Sequence, residues 1–252
     1  MRVNDSQRCL RRGSLQQQSQ LNVACTHTFG KYRTVPTYIV TTFSYCSRLA
    51  LVLAGLEFED ERISFDQWKD FKPQTPFGQL PVLQIDDGPL RTQAHAMLRW
   101  IGSQNKSLYP DNDYAVDEAM GVVEDMRQSW TPCLALKGMP GAYGHDPEAL
   151  QGEAGTAKVK KVREYWMKER LPGLVKQVEQ LLSRNENKWV ASKDSPTIAD
   201  CLLVPFLRSF TRGHVDHVPT TIWDDYPVLK DYVKRFCALD AVKGRYTDGL
   251  HE

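Results

Sequence analysis

Between Thr37 and Asn105 the apolar residues change period repeatedly, and that order limits what the chain can fold into. "TYIVTTF" (Thr37–Phe43) alternates and is β-branched, which predicts a strand. "SRLALVLAG" is a short apolar helix stopped by Gly55. "LEFEDERI" alternates again and predicts a second strand. "SFDQWKDFKPQ" reads as a short helix or turn, with Asp66 as its cap. "LPVLQI", a "DDG" turn signal and "PLRT" make a hairpin. "QAHAMLRWIGSQN" then places Ala94, Met97, Leu98 and Ile101 at helical spacing. A strand–helix–strand unit favours a parallel pair with a right-handed crossover, and the hairpin adds an antiparallel strand. The product is a small mixed sheet with helices on its faces.

Beyond the polar, punctuated stretch "NKSLYPDND" the period is helical almost throughout. Val116, Met120, Val123 and Met126 share one face. "TIAD" (Thr197 to Asp200) has the form of a capping box, with Asp in place of the usual Glu, before an apolar helix. The chain therefore divides into an α/β domain over 34–104, a linker over 105–113 and an all-α helical domain over 114–252. Residues 1–33 precede them as a leader. That leader is rich in Arg, Gln and Ser and poor in acids. Such a composition fits a disordered segment, or an organelle transit peptide for a mitochondrion or plastid.

Several function classes fall away. The net charge of +1 gives no basic footprint for nucleic acid. No apolar run approaches the roughly 20 residues that cross a bilayer. The six cysteines are scattered, with no CxxC pair, which suits reduced thiols in the cytoplasm rather than a disulfide framework. "HVDHV" sets His214 and His217 three apart, but a metal site needs at least three convergent ligands, so no metal is predicted. No phosphate-cradling P-loop or GxGxxG occurs.

Pro81, near the start of the apolar run "LPVLQI", cannot donate to a ladder. A proline there marks an edge or a special backbone position, such as a tight turn with a cis X–Pro bond. The run "WKDFKPQTPFGQLPVLQIDDG", then "TQAHAMLRWIG", then "TIAD" before an apolar helix together resemble a cytosolic glutathione transferase, nearest to the sigma and mu classes. The resemblance covers Thr37 to the C-terminus. It implies a thioredoxin-like N-terminal domain followed by a helical domain, and a cis Pro81 that aims the backbone of Leu80 at glutathione.

Glutathione is an acidic tripeptide, and the resemblance assigns it partners. Leu80 pairs through its backbone with the cysteinyl part. Trp68 and Lys72 face the glycyl end. Gln93 and Ala94 open a helix whose free N–H groups and positive dipole end suit the γ-glutamyl carboxylate. The family motif there is Gln-Ser, so Ala94 lacks a hydroxyl, which weakens binding by about 1.5–3 kcal/mol. Asp125 matches the acid that reaches the glutathione amine across a dimer interface; on residues alone, Glu124 and Asp125 read as a solvated helix face. Phe77 matches an apolar key inserted into the partner subunit.

The catalytic loop departs from the pattern. A free thiol has a pKa of about 8.5, so a thiolate at neutral pH needs a donor that stabilises it. In the sigma and mu classes this is a tyrosine at the end of the first strand. Matching "YIVTTF" to that strand puts Thr42 in its place, and the loop that follows is about five residues short. Thr42, Ser44, Tyr45 and Cys46 are the candidates, with Tyr45 ranked first because a phenol is the donor those classes use. Cys46 is the candidate for a mixed disulfide if it lies at a helix N-terminus.

The function implied is a homodimeric detoxification enzyme that conjugates glutathione, as co-substrate and without a cofactor, to small apolar electrophiles. Trp130, Met139 and Tyr143 of the helical domain are expected around the electrophile. Two alternatives stand beside it: a non-catalytic binding or scaffold protein, and a Cys46-dependent thiol transferase.

Overall fold

The computed structural model describes residues 32–35, 42–111 and 113–245, with the side chains of 32–35, 42, 43, 65, 244 and 245 left out of the account. The order of elements is β1 (Tyr32–Val35), α1 (Thr42–Ala54), β2 (Phe58–Asp60), α2 (Phe65–Phe71), β3 (Val82–Ile85) and α3 (Ala94–Ser103). The helical part follows: α4 (Tyr114–Gly138), α5 (Gly152–Tyr165), α6 (Leu171–Arg184), α7 (Ile198–Ser209), α8 (Pro227–Cys237) and α9 (Asp240–Arg245). One π turn, Trp166–Arg170, joins α5 to α6. This is a thioredoxin-like α/β domain followed by an all-α domain. Among the described residues no helix is long and apolar enough to cross a membrane.

The sheet is mixed, as the period changes predict. Its order is β2-β1-β3, with β1 parallel to β2 and antiparallel to β3. The position of the first strand is a correction. It lies at Tyr32–Val35 and takes up the last two residues of the expected leader. Of the expected strand Thr37–Phe43, residues 37–41 lie outside the described residues, while Thr42 and Phe43 open α1. Periodicity misled here because one turn of a β-branched helix and a short strand carry the same residue types. Six residues, 36–41, stand between β1 and α1 in the sequence. The remainder of the leader also lies outside the described residues.

Local chemistry sets the other ends. α1 stops in a Schellman motif: Gly55 takes φ +70°, its N–H reaches the Val52 carbonyl at 3.1 Å, and the Leu56 N–H reaches Leu51 at 3.0 Å. The cap of α2 is Ser64 rather than Asp66. Gln67 N–H donates to the Ser64 hydroxyl while Ser64 N–H donates to Gln67 Oε1 at 2.7 Å. The hairpin forms, but its return arm is reduced to one bridge between Leu83 and Arg91.

The two domains share one core. α1 packs between α3 and α7, so Cys46, Leu49 and Leu98 meet Val123 and Leu202 in a single apolar cluster. The predicted α4 face of Val116, Met120, Val123 and Met126 is fully buried in it. The Thr197–Asp200 capping box is present, and Asp200 does more than cap. Its carboxylate accepts from Thr197 N and Oγ1, from Val190 N and from Tyr232 Oη, at 2.7–3.0 Å. Burial pushes the Asp200 carboxyl up from its usual range, and those donors oppose the shift.

Candidate active site

A continuous surface runs from α2 to the start of α3, built by contacts between consecutive segments. Trp68 and Leu80 pack against the small cluster of Ile63 and Val82, with Trp68 tilted on Phe71 at 6.5 Å. The Leu80–Pro81 peptide is cis and leads into β3. Lys72 is exposed, and its aliphatic stem lies across Gly78. A Cβ at Gly78 would meet Lys72 Cε at 3.2 Å, and Gly78 also holds φ +61°, a conformation glycine adopts without steric cost. Gln79 then accepts a hydrogen bond from Gln93 Nε2 at 3.3 Å. The structure thus brings Trp68 and Leu80 together beside buried Pro81, sets the Lys72 stem across Gly78, and ties Gln79 to Gln93, next to buried Ala94. Gln79 is the member that motif reading left out, although it stands inside the quoted run.

Gln93 carries φ +73° at the N-cap of the ten-residue α3. A non-glycine residue held in that region is strained by about 1–3 kcal/mol, and such strain concentrates where a ligand is bound. Gln93 stands at the turn into α3, whose first N–H groups, like those of any helix, have no partner within the helix itself. Ala94 is the first helical residue and is buried, while Thr92 is partly exposed beside it. Behind them His95 Nε2 lies 3.5 Å from Glu124 Oε2, and Arg127 Nη1 lies 3.7 Å from the same oxygen. Burial holds His95 below its ordinary pKa, against the pull of Glu124. Asp125, next along α4, is exposed, and so is Phe77, at 68%.

Of the four candidates for the thiolate donor, Ser44, Tyr45 and Cys46 do not join this surface. All lie on α1. Tyr45 sits with its ring under the Arg48 guanidinium, 5.4 Å away, and Arg48 is bound to Asp60 at the end of β2 by a 2.7 Å ion pair. In the order β2-β1-β3 that is the edge opposite to the one Pro81 leads into. Cys46 is fully buried, and its thiol faces the Leu202 carbonyl at 3.8 Å. Desolvation pushes it up to about 12, with the nearby Arg127 pulling the other way. Burial and the raised thiol both count against mixed-disulfide chemistry at Cys46, although it stands in the first turns of α1. Ser44 is also buried, at 3% exposure. The side chain of Thr42 lies outside the description.

A second concavity of about 390 Å³ opens between α4, α5 and α7. Trp130 lines it, together with Thr131, Leu134, Phe206 and Val215. Trp130 packs edge-on against Trp166 at 4.8 Å and Phe210 at 4.9 Å, contacts worth about 0.5–1.5 kcal/mol each beyond area burial. Met139 and Tyr143, expected around an electrophile, are exposed and are not among its lining residues. Arg127, Lys137, Arg163, His214 and Asp216 also line it, a charged component that apolar periodicity does not reveal.

Residues 42–104 match the family described as "Glutathione S-transferase, N-terminal domain", and residues 148–245 match "Glutathione S-transferase, C-terminal domain". The chain is similar to Glutathione S-transferase 2 of Manduca sexta, with 41% identity over 83 residues, a match that spans 32% of this chain and 40% of that protein. It is 29% identical to Glutathione S-transferase 1 of Ascaris suum over 223 residues, which cover 83% of this chain and 95% of the relative. Its fold resembles that of a monomeric glutathione S-transferase from Necator americanus, with a TM-score of 0.63, 24% identity, and coverage of 85% of this chain and 95% of that one.

Proposed function

Because the chain belongs to the glutathione S-transferase family, we propose that it binds glutathione along the Trp68–Gln93 surface and joins it through its thiolate sulfur to small electrophiles held in the α4–α5–α7 cleft, the electrophile's leaving group departing as the carbon–sulfur bond forms. The observation that carries this is the strained Gln93 at the head of α3, tied to Gln79 beside Leu80 and Pro81. It supports the α3 N-terminus as the partner of one glutathione carboxylate. The second carboxylate is assigned to the ammonium of exposed Lys72, whose aliphatic stem lies across Gly78. Leu80 offers backbone pairing between them, and Trp68 an apolar wall with one N–H donor.

The chemical step needs a hydroxyl aimed at the sulfur. Since Tyr45 faces Arg48 and both Ser44 and Cys46 are buried, the remaining candidate hydroxyls are Thr42 and, ahead of it in the sequence, Thr37, Tyr38 and Thr41, of which Tyr38 is the phenol. Asp125 and Phe77 suit a homodimer in which Phe77 enters the partner and Asp125 completes the partner's glutathione site. The deciding experiment is steady-state conjugation of 1-chloro-2,4-dinitrobenzene at saturating glutathione. A rate no greater than the uncatalysed one sinks the reading.

One observation favours a second reading. Ala94 stands where the family motif has serine, so the charge-assisted bond to the γ-glutamyl group is missing. A binding protein with little catalysis tolerates that loss. Retention on immobilised glutathione without turnover selects this alternative.

A further inference from the structure

We propose that the α4–α5–α7 cleft selects electrophiles that carry a carboxylate on an apolar body, with Arg163 as the anion's anchor; this rests on the reading of that cleft as the second-substrate site. A cleft meant only for apolar molecules has an apolar wall. This one has apolar residues on one part and cations on another. Trp130, Leu134 and Phe206 offer the apolar surface. Arg127, Lys137 and Arg163 bring three fixed positive charges, with His214 as a titratable fourth. Asp216 is the lining residue of opposite sign.

The disposition of Arg163 is what points to a ligand. The residue is 3% exposed, yet it lines the cleft. Its Nη1 donates to the Asp216 carbonyl at 2.5 Å and its Nη2 to the Cys133 carbonyl at 3.3 Å, both neutral backbone acceptors. Its Nε, equally buried, has no acceptor among the described residues. The Asp216 carboxylate is taken by Lys137 in a close ion pair. A buried guanidinium without a carboxylate bonded to it is costly, and a charged ligand group is what repays that cost. The Trp130 ring, 5.6 Å from the Arg163 guanidinium carbon, then holds an apolar body next to the anion. Glu124 lies 3.7 Å from Arg127 and moderates that charge, so Arg163 rather than Arg127 is the anchor.

The test separates binding from turnover. Calorimetric titration of the full chain with 4-phenylbutyrate and with 4-phenylbutanol compares one apolar body with and without the charge. The acid should bind at least tenfold more tightly. Asp216→Asn, at a half-exposed position, should widen that preference severalfold by removing the opposing charge. Arg163→Gln, with folding checked by circular dichroism, should erase it. If Arg163→Gln does not fold, Asp216→Asn decides alone. Equal affinities for acid and alcohol overturn the proposal, and so does a preference that neither variant changes. Turnover of the neutral 1-chloro-2,4-dinitrobenzene is measured in parallel. Turnover without acid preference refutes this inference and leaves the transferase standing; acid preference without turnover does the reverse.

Discussion

Gln93 Nε2 donates to Gln79 Oε1 across 3.3 Å, and this contact fastens the start of α3 to the segment that leads through Leu80 and Pro81 into β3. The backbone of Gln93 stays at φ +73° while it does so. Gln93→Gly should therefore relieve strain, by about 1 kcal/mol, and raise the melting temperature. The same change should weaken glutathione binding, because the side chain that locks the turn is gone. Differential scanning calorimetry and a glutathione titration on one preparation give both signs. Stability and affinity moving together would contradict the assignment.

Ala94→Ser restores a hydroxyl at the first residue of α3. Affinity for glutathione should rise roughly tenfold, which corresponds to about 1.4 kcal/mol. Thr92→Val is the control, since Thr92 is the nearest alternative hydroxyl in the sequence. An unchanged affinity in Ala94→Ser combined with a loss in Thr92→Val moves the role to Thr92.

Tyr45→Phe should change kcat by less than twofold, because the ring is committed to the Arg48–Asp60 pair at the β2 edge. Tyr38→Phe should lower kcat by about a hundredfold and raise the apparent pKa of the pH–rate profile, as loss of a thiolate donor does. The opposite ordering of the two variants would return the role to Tyr45.

Cys46 should resist alkylation in the folded protein. Its thiol is fully buried and pushed up to about 12, which should keep it protonated at pH 8. Iodoacetamide followed by peptide mass spectrometry should label Cys46 only after denaturation in urea. Native labelling at a rate typical of exposed thiols would reopen the thiol-transferase alternative.

Phe77→Ala should weaken self-association by about 2 kcal/mol, a shift of roughly thirtyfold in the dimer dissociation constant. Sedimentation equilibrium measures it. A wild-type chain that stays monomeric at all concentrations would exclude the key role and, with it, that of Asp125 in the partner's site.

Much of the fold was legible because it depends on short-range pattern. The switch from period two to period 3.6 gave the mixed sheet and its helices. A strict apolar face predicted the burial of α4. The spacing of "TIAD" predicted its capping box, since a cap satisfies N–H groups within one turn of itself. Gly55 marked the end of α1 because only a left-handed residue closes a Schellman motif without steric cost. The proposed glutathione surface draws on one short continuous stretch, Trp68 to Pro81, which is why its residues could be named from the sequence.

What tertiary structure alone decided concerns residues distant in sequence. The run "TYIVTTF" carries no sign that the paired strand precedes it; pairing of Tyr32–Val35 with β2 and β3 decides that, because ladder bonds are made between segments. The same shift turned Tyr45 toward Arg48 and sealed Cys46 beneath Leu202, some 156 residues away, by setting which face of α1 meets α7. Likewise nothing near Arg163 in the sequence says that it shares a cleft with Trp130 and Asp216. Charge at a binding site is a sum over elements brought together by packing, and that sum exists only once the core has formed.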